Sequence, residues 1–180
     1  MNPPRHRLAT WANVLTAIRL ASLPSSVVSI LFNDWLIAAT LFTLAIISDV
    51  LDGKLARAFD QASPLGGLFD HATDALYVAS GTWALAQLGL VNIYLAPIII
   101  LAFTQYMLDS KALSGQPLRA SWLGRNNGIG YFILVGFGIG MHVTGWMWLA
   151  LPVAIAGWLL LASSLVSMGD RALALLRLNE

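Results

Sequence analysis

Residues 35–59, WLIAATLFTLAIISDVLDGKLARAF, hold the reading on which the fold turns. The first fourteen of them, 35–48, carry no charge, and the run is long enough to cross a bilayer core of roughly 30 Å, which takes about 20 helical residues. Asp49 and Asp52 then interrupt it before it ends. Five further apolar segments of similar length flank this one, at residues 11–32, 68–88, 93–111, 124–143 and 146–167, bounded by Asn33-Asp34, Ser63-Pro64, Gly89 and Gly145. Across the 180 residues 58% are hydrophobic and 11% charged, against about 25% charged in soluble domains. The expected fold is therefore all-α: a polytopic membrane protein of six transmembrane helices, forming one membrane domain over residues 1–180. Residues 169–180 read as a short interfacial tail.

The absence of cysteine excludes a disulfide framework, a thiolate nucleophile and Cys-bound metal clusters. A net charge of +1 leaves no basic excess to track a phosphate backbone, so nucleic acid is not an expected partner. The ten basic residues are distributed unevenly: Arg5, Arg7, Arg19, Lys54, Arg57, Lys111, Arg119, Arg125, Arg171 and Arg177 all fall on one side of the expected spans. The intervening turns near residues 33–34, 89–92 and 142–145 have none. The positive-inside rule then places both termini in the cytoplasm, across an inner (plasma) membrane. Arg19 breaks the first apolar run, which argues for a span rather than a cleaved leader.

Five of the nine acids lie between residues 49 and 74: Asp49, Asp52, Asp60, Asp70 and Asp74. Carboxylates at membrane depth are costly and mark sites lined by water or a cation. Asp49, Asp52, Gly53 and Ala56 share one helical face, and Asp70 and Asp74 form an i, i+4 pair on the next helix. An antiparallel hairpin through Ser63-Pro64 brings the two acidic faces together as an oxygen cage for hard divalent cations, Mg²⁺ or Mn²⁺. A single aspartate near a helix end also fits a capping role, which is the better reading for Asp60. Gly53 and Ala56 taken alone also fit close helix packing.

Together, Asp49-x-x-Asp52-Gly53-x-x-Ala56-Arg57, eight residues, then Gly66-x-x-x-Asp70-x-x-x-Asp74, resemble the complete signature of the CDP-alcohol phosphatidyltransferases. The resemblance implies six transmembrane helices with the active site facing the cytoplasm, and commonly a homodimer. It implies that Asp49, Asp52, Asp70 and Asp74 bind two divalent metals and that Asp74 is also the catalytic base. It assigns Gly53, Ala56, Arg57 and Gly66 to the CDP-linked donor. Asn13-x-x-Thr16-x-x-Arg19 resembles an N-terminal element of the family, with Ala12 where a proline is usual; Asn13 and Thr16 would touch the donor and Arg19 a phosphate. An ordinary helix entrance with a snorkelling arginine is the alternative.

The resemblance implies phospholipid biosynthesis: transfer of a substituted phosphate, a phosphatidyl group from CDP-diacylglycerol, to an alcohol such as glycerol 3-phosphate, with release of CMP. A phosphorylated acceptor calls for a basic pocket, for which Lys111, Arg119 and Arg125 are candidates besides their role in topology. The stretch Asp52-Gly53-Lys54 with Ser63-Pro64-Leu65-Gly66 and Leu68-Phe69-Asp70-His71 also resembles the CDP-choline and CDP-ethanolamine phosphotransferases acting on diacylglycerol. A membrane prenyltransferase carries its aspartate pairs on distant hairpins, and a metal-dependent transporter would set its acids near the midplane between repeats; both fit less well. His71, one residue off the Asp70/Asp74 face, reads as a packing residue. His142 has no partner in sequence. The tryptophans at 146–158 read as interfacial anchors, and Gly136-x-x-x-Gly140 as a helix-packing signal that suits a homodimer.

Overall fold

The computed structural model describes residues 11–58, 63–109 and 122–177. Among these, six helices follow one another: α1 (Trp11–Leu31), α2 (Trp35–Ala58), α3 (Pro64–Gln87), α4 (Leu95–Asp109), α5 (Trp122–Thr144) and α6 (Ala150–Arg177), with a 3₁₀ turn at Met147–Leu149 before α6. Four stretches are long and apolar enough to cross a membrane: Asn13–Leu31, Trp35–Lys54, Trp122–Thr144 and Met147–Leu173. The described part of helix α4, Leu95–Asp109, is a shorter apolar helix of 15 residues, and residues 110–121 after it lie outside the described set. Helix α3 has the length but is diluted by Asp70, His71, Asp74 and several small polar residues.

The turn residues do the work their types predict. Asn33 ends α1 at φ 62°, with the Asp34 amide donating to Ser29 O at 2.8 Å and the Asn33 amide to Ile30 O at 3.0 Å. This pair of bonds is the Schellman closure that lets two antiparallel helices meet with hardly a residue between them. Gly89 closes α3 in the same way at φ 74°, through Leu90 N to Leu85 O and Gly89 N to Ala86 O. At the start of α3, Ser63 is the N-cap, its hydroxyl accepting from the Gly66 amide at 3.0 Å, and Pro64 occupies the first helical turn, where a missing N–H costs nothing.

Helix α1 packs against α2 and α3, α5 lies against α2, α3 and α6, and α4 bridges α3 and α6. The buried apolar residues include Ile30, Leu85, Leu95, Val135, Ile139 and Met141. Small residues set the approach between helices, as is usual where lipid supplies no hydrophobic drive. A Cβ at Gly138 would lie 2.6 Å from Leu85 Cδ1, and one at Gly130 would lie 2.6 Å from Leu160 Cδ2. The Gly136-x-x-x-Gly140 pattern divides: Gly136 faces Phe42 of α2, whereas among the described residues nothing lies within 4 Å of a Cβ at Gly140. Outward faces carry Leu36, Leu101, Ile133, Leu151, Leu159 and Val166, all more than half exposed, the surface expected of a chain solvated by lipid. Helix α6 runs unbroken through Gly169-Asp170-Arg171, so at least the first part of the expected tail extends the last helix.

Candidate active site

At one pole of the bundle the N-terminal half of α1, the C-terminal part of α2 and the N-terminal half of α3 converge. Each contributes charge from a position set by helical spacing: Thr16 and Arg19 on α1, Asp49 and Asp52 on α2, Asp70 and Asp74 on α3. The Arg19 side chain has no exposed surface. Its Nη1 donates to Asp49 Oδ1 at 3.1 Å and to Asp74 Oδ1, its Nη2 donates to Asp52 Oδ2 and, at 3.1 Å, to Asp70 Oδ1, and its Nε donates to Ser48 Oγ at 3.3 Å. A guanidinium has five N–H groups, so these five acceptors use its donor capacity in full. Thr16 adds a hydroxyl bond to Asp52 Oδ2 at 3.1 Å.

Arg19, which the family resemblance sets toward a phosphate, is here enclosed by carboxylates, and the Thr16 hydroxyl donates to Asp52. The acids differ in access: Asp52 is 4% exposed, Asp74 21%, Asp70 25% and Asp49 40%, so the cluster is only partly closed. Carboxylate oxygens of Asp49, Asp52 and Asp70 come within 4.8 Å of one another, and so do ligand atoms of Asp70, His71 and Asp74. Among the described residues, the four acids bonded to one guanidinium carry a formal excess of three negative charges. That excess, presented as oxygen donors in a membrane-embedded bundle, fits hard divalent cations.

Gly66 lies where a Cβ would be 3.0 Å from Ser63 Oγ and 3.3 Å from Asn13 Oδ1, so its missing side chain lets the start of α1 approach the α3 cap. Gly53 follows Asp52 on α2 and is half-buried. Ala56 and Arg57 continue α2, but their side chains fall outside the described set, as do Lys111, Arg119 and Asp60 altogether. Arg125 is exposed near the start of α5.

His71 corrects the expectation of packing: its side chain is half exposed, with Nδ1 3.8 Å from Asp70 Oδ2. Ser48, which holds Arg19 Nε, was missed; its only signal was its place beside Asp49. Arg171, read only for topology, lies 5.0 Å over the Tyr106 ring and 3.8 Å from Asp109. His142 stacks on Trp35 at 3.8 Å between ring centroids, a partner 107 positions away that no local pattern announces.

Residues 9–168 match the family described as CDP-alcohol phosphatidyltransferase, and the chain belongs to that family. Its relatives include a putative cardiolipin synthase of Mycobacterium tuberculosis, 33% identical over 141 residues, which are 74% of this chain and 65% of the relative. The cardiolipin synthase (CMP-forming) of Streptomyces coelicolor is 29% identical over 164 residues, 84% of this chain and 74% of the relative. A CDP-diacylglycerol–glycerol-3-phosphate 3-phosphatidyltransferase of Cereibacter sphaeroides is 39% identical over 71 residues, 37% of this chain and 32% of the relative. The chain thus spans a little under two thirds of the mycobacterial relative's length.

Proposed function

We propose that the chain is a phospholipid-synthesis enzyme that transfers the phosphatidyl group of CDP-diacylglycerol to a hydroxyl of a glycerol-based acceptor and releases CMP. The observation that carries this reading is the convergence of Asp49, Asp52, Asp70 and Asp74 from two helices into one partly open cluster. These residues would hold two divalent ions, Mg²⁺ or Mn²⁺, which when bound neutralise the donor's diphosphate and the charge that develops on the leaving CMP. Asp74 takes the proton of the attacking hydroxyl. The acceptor oxygen bonds to the phosphatidyl phosphorus, the phosphoanhydride bond breaks, and its electron pair leaves with CMP. Gly53, Ala56, Arg57, Gly66 and Asn13 form the donor side, and Arg125 with Lys111 and Arg119 the acceptor side.

The longer alignments, with relatives named cardiolipin synthase, support phosphatidylglycerol as acceptor. Glycerol 3-phosphate is the second reading, favoured by the Cereibacter relative; both acceptors join a glycerol hydroxyl to a nearby phosphate. The one-sided distribution of all ten basic residues supports six spans in an inner membrane, both termini cytoplasmic, with the site on that face. The open Gly140 face suits a homodimer.

The test is incubation of the purified chain with labelled CDP-diacylglycerol, Mg²⁺ and either phosphatidylglycerol or glycerol 3-phosphate. CMP release with cardiolipin as product is expected for the first reading, and phosphatidylglycerophosphate for the second. No CMP from any acceptor, CDP-choline with diacylglycerol included, would remove the assignment.

A further inference from the structure

Every aspartate in the two groups of potential ligands is already bonded to Arg19; only His71 is not. With Arg19 in place the cluster has four carboxylates and one guanidinium, and the guanidinium is what lets acids from two helices lie side by side away from water. Two divalent ions would neutralise the four acids completely. A guanidinium kept among them would then be a buried charge without a counter-ion, the arrangement that proteins tolerate least.

We infer that Arg19 is the resident counter-cation of the metal-free site: it braces the acids of α2 and α3 and is exchanged for the divalent ions, so that metal affinity is set by competition with this side chain. The inference rests on the reading of the four aspartates as metal ligands. It makes Arg19 a positioning residue in the metal-free state and an internal competitor of the ions. Thr16, one turn away on the same face of α1, keeps its bond to Asp52 and holds that acid through the exchange.

The test uses the full chain in detergent micelles, with Mn²⁺ binding followed by the electron paramagnetic resonance of the free ion and thermal unfolding measured in EDTA and in saturating Mn²⁺. Arg19→Gln is expected to bind Mn²⁺ tighter by on the order of tenfold or more, the scale of a close charge removed from outside bulk water. Lys54→Gln removes an exposed charge two residues after Asp52 and is expected to change the affinity by less than about twofold, because solvent screens it. In EDTA, Arg19→Gln should melt below wild type, and in saturating Mn²⁺ it should melt with it. Arg19→Lys keeps a charge but not the five-donor fork, and should fall between the two; it carries the measurement if the glutamine variant does not fold. Equal Mn²⁺ affinities in wild type and both Arg19 variants, or a loss of melting temperature that Mn²⁺ does not restore, would overturn the exchange alone. A wild-type chain that binds no Mn²⁺ would overturn the metal reading and the exchange with it.

Discussion

The two halves of the bundle are held together by different physics. Where α1, α2 and α3 meet, one guanidinium satisfies four carboxylates that would otherwise repel one another, and the arrangement keeps a negative excess. Where α5 and α6 meet, the polar contacts are neutral and closed: Tyr131 and Ser164 hydroxyls at 2.5 Å, and the Ser163 hydroxyl donating to Asn127 Oδ1 at 2.7 Å. Around them glycines admit Leu85 and Leu160. The contrast teaches that negative charge is concentrated where α1, α2 and α3 meet, while the α5–α6 seam is closed by neutral, mutually satisfied hydroxyl and amide groups. Substitutions should therefore separate, with changes in the acids removing activity and changes in α5 removing stability.

The largest effect should come from the ions. CMP release is expected to vanish in EDTA and return with Mg²⁺ or Mn²⁺, and full turnover in chelator would break the division at its charged end. Next, Asp74→Asn should slow single-turnover transfer by the order of 10²–10⁴-fold expected of a lost general base, with donor affinity largely kept. Asp49→Asn should instead weaken ion and donor binding together. Near wild-type single-turnover rates for Asp74→Asn at saturating Mg²⁺ would remove the base assignment, since KM alone need not report binding.

A smaller effect belongs to the neutral half. Gly138→Val forces a side chain into Leu85 and should cost about 1–3 kcal/mol in micellar unfolding, with Mn²⁺ affinity unchanged. Tyr131→Phe should cost less, about 0.6 kcal/mol, the average for hydroxyl bonds between membrane helices. A loss of ion affinity in either variant would show that the halves are coupled.

Much of this was legible in the chain because its signals are local. Apolar run length, the Asn33 and Gly89 helix ends, and the i, i+3 and i, i+4 spacing of the acids each involve neighbours in sequence. The arginine at the centre of the site was not legible in its role, because Arg19 lies 30 to 55 positions from the acids it bonds and the packing of α1 against α2 and α3 decides where it points. The same holds for the stack of Trp35 on His142 and for Gly138 against Leu85, contacts between segments far apart in the chain. Gly136-x-x-x-Gly140 drew attention by its pattern, yet the tighter approaches are at Gly130 and Gly138. Helix α3 keeps the length of a span while Asp70, His71 and Asp74 lower its apolar content, so the stretch signals a helix more directly than a crossing.

The most direct measurement of the central claim is the number of Mn²⁺ ions bound per chain by the purified protein, counted with and without Asp52→Asn, the substitution at the most buried of the four acids. The account predicts two ions in wild type and fewer in the variant. No bound ion in wild type, or the same number in both, would contradict it.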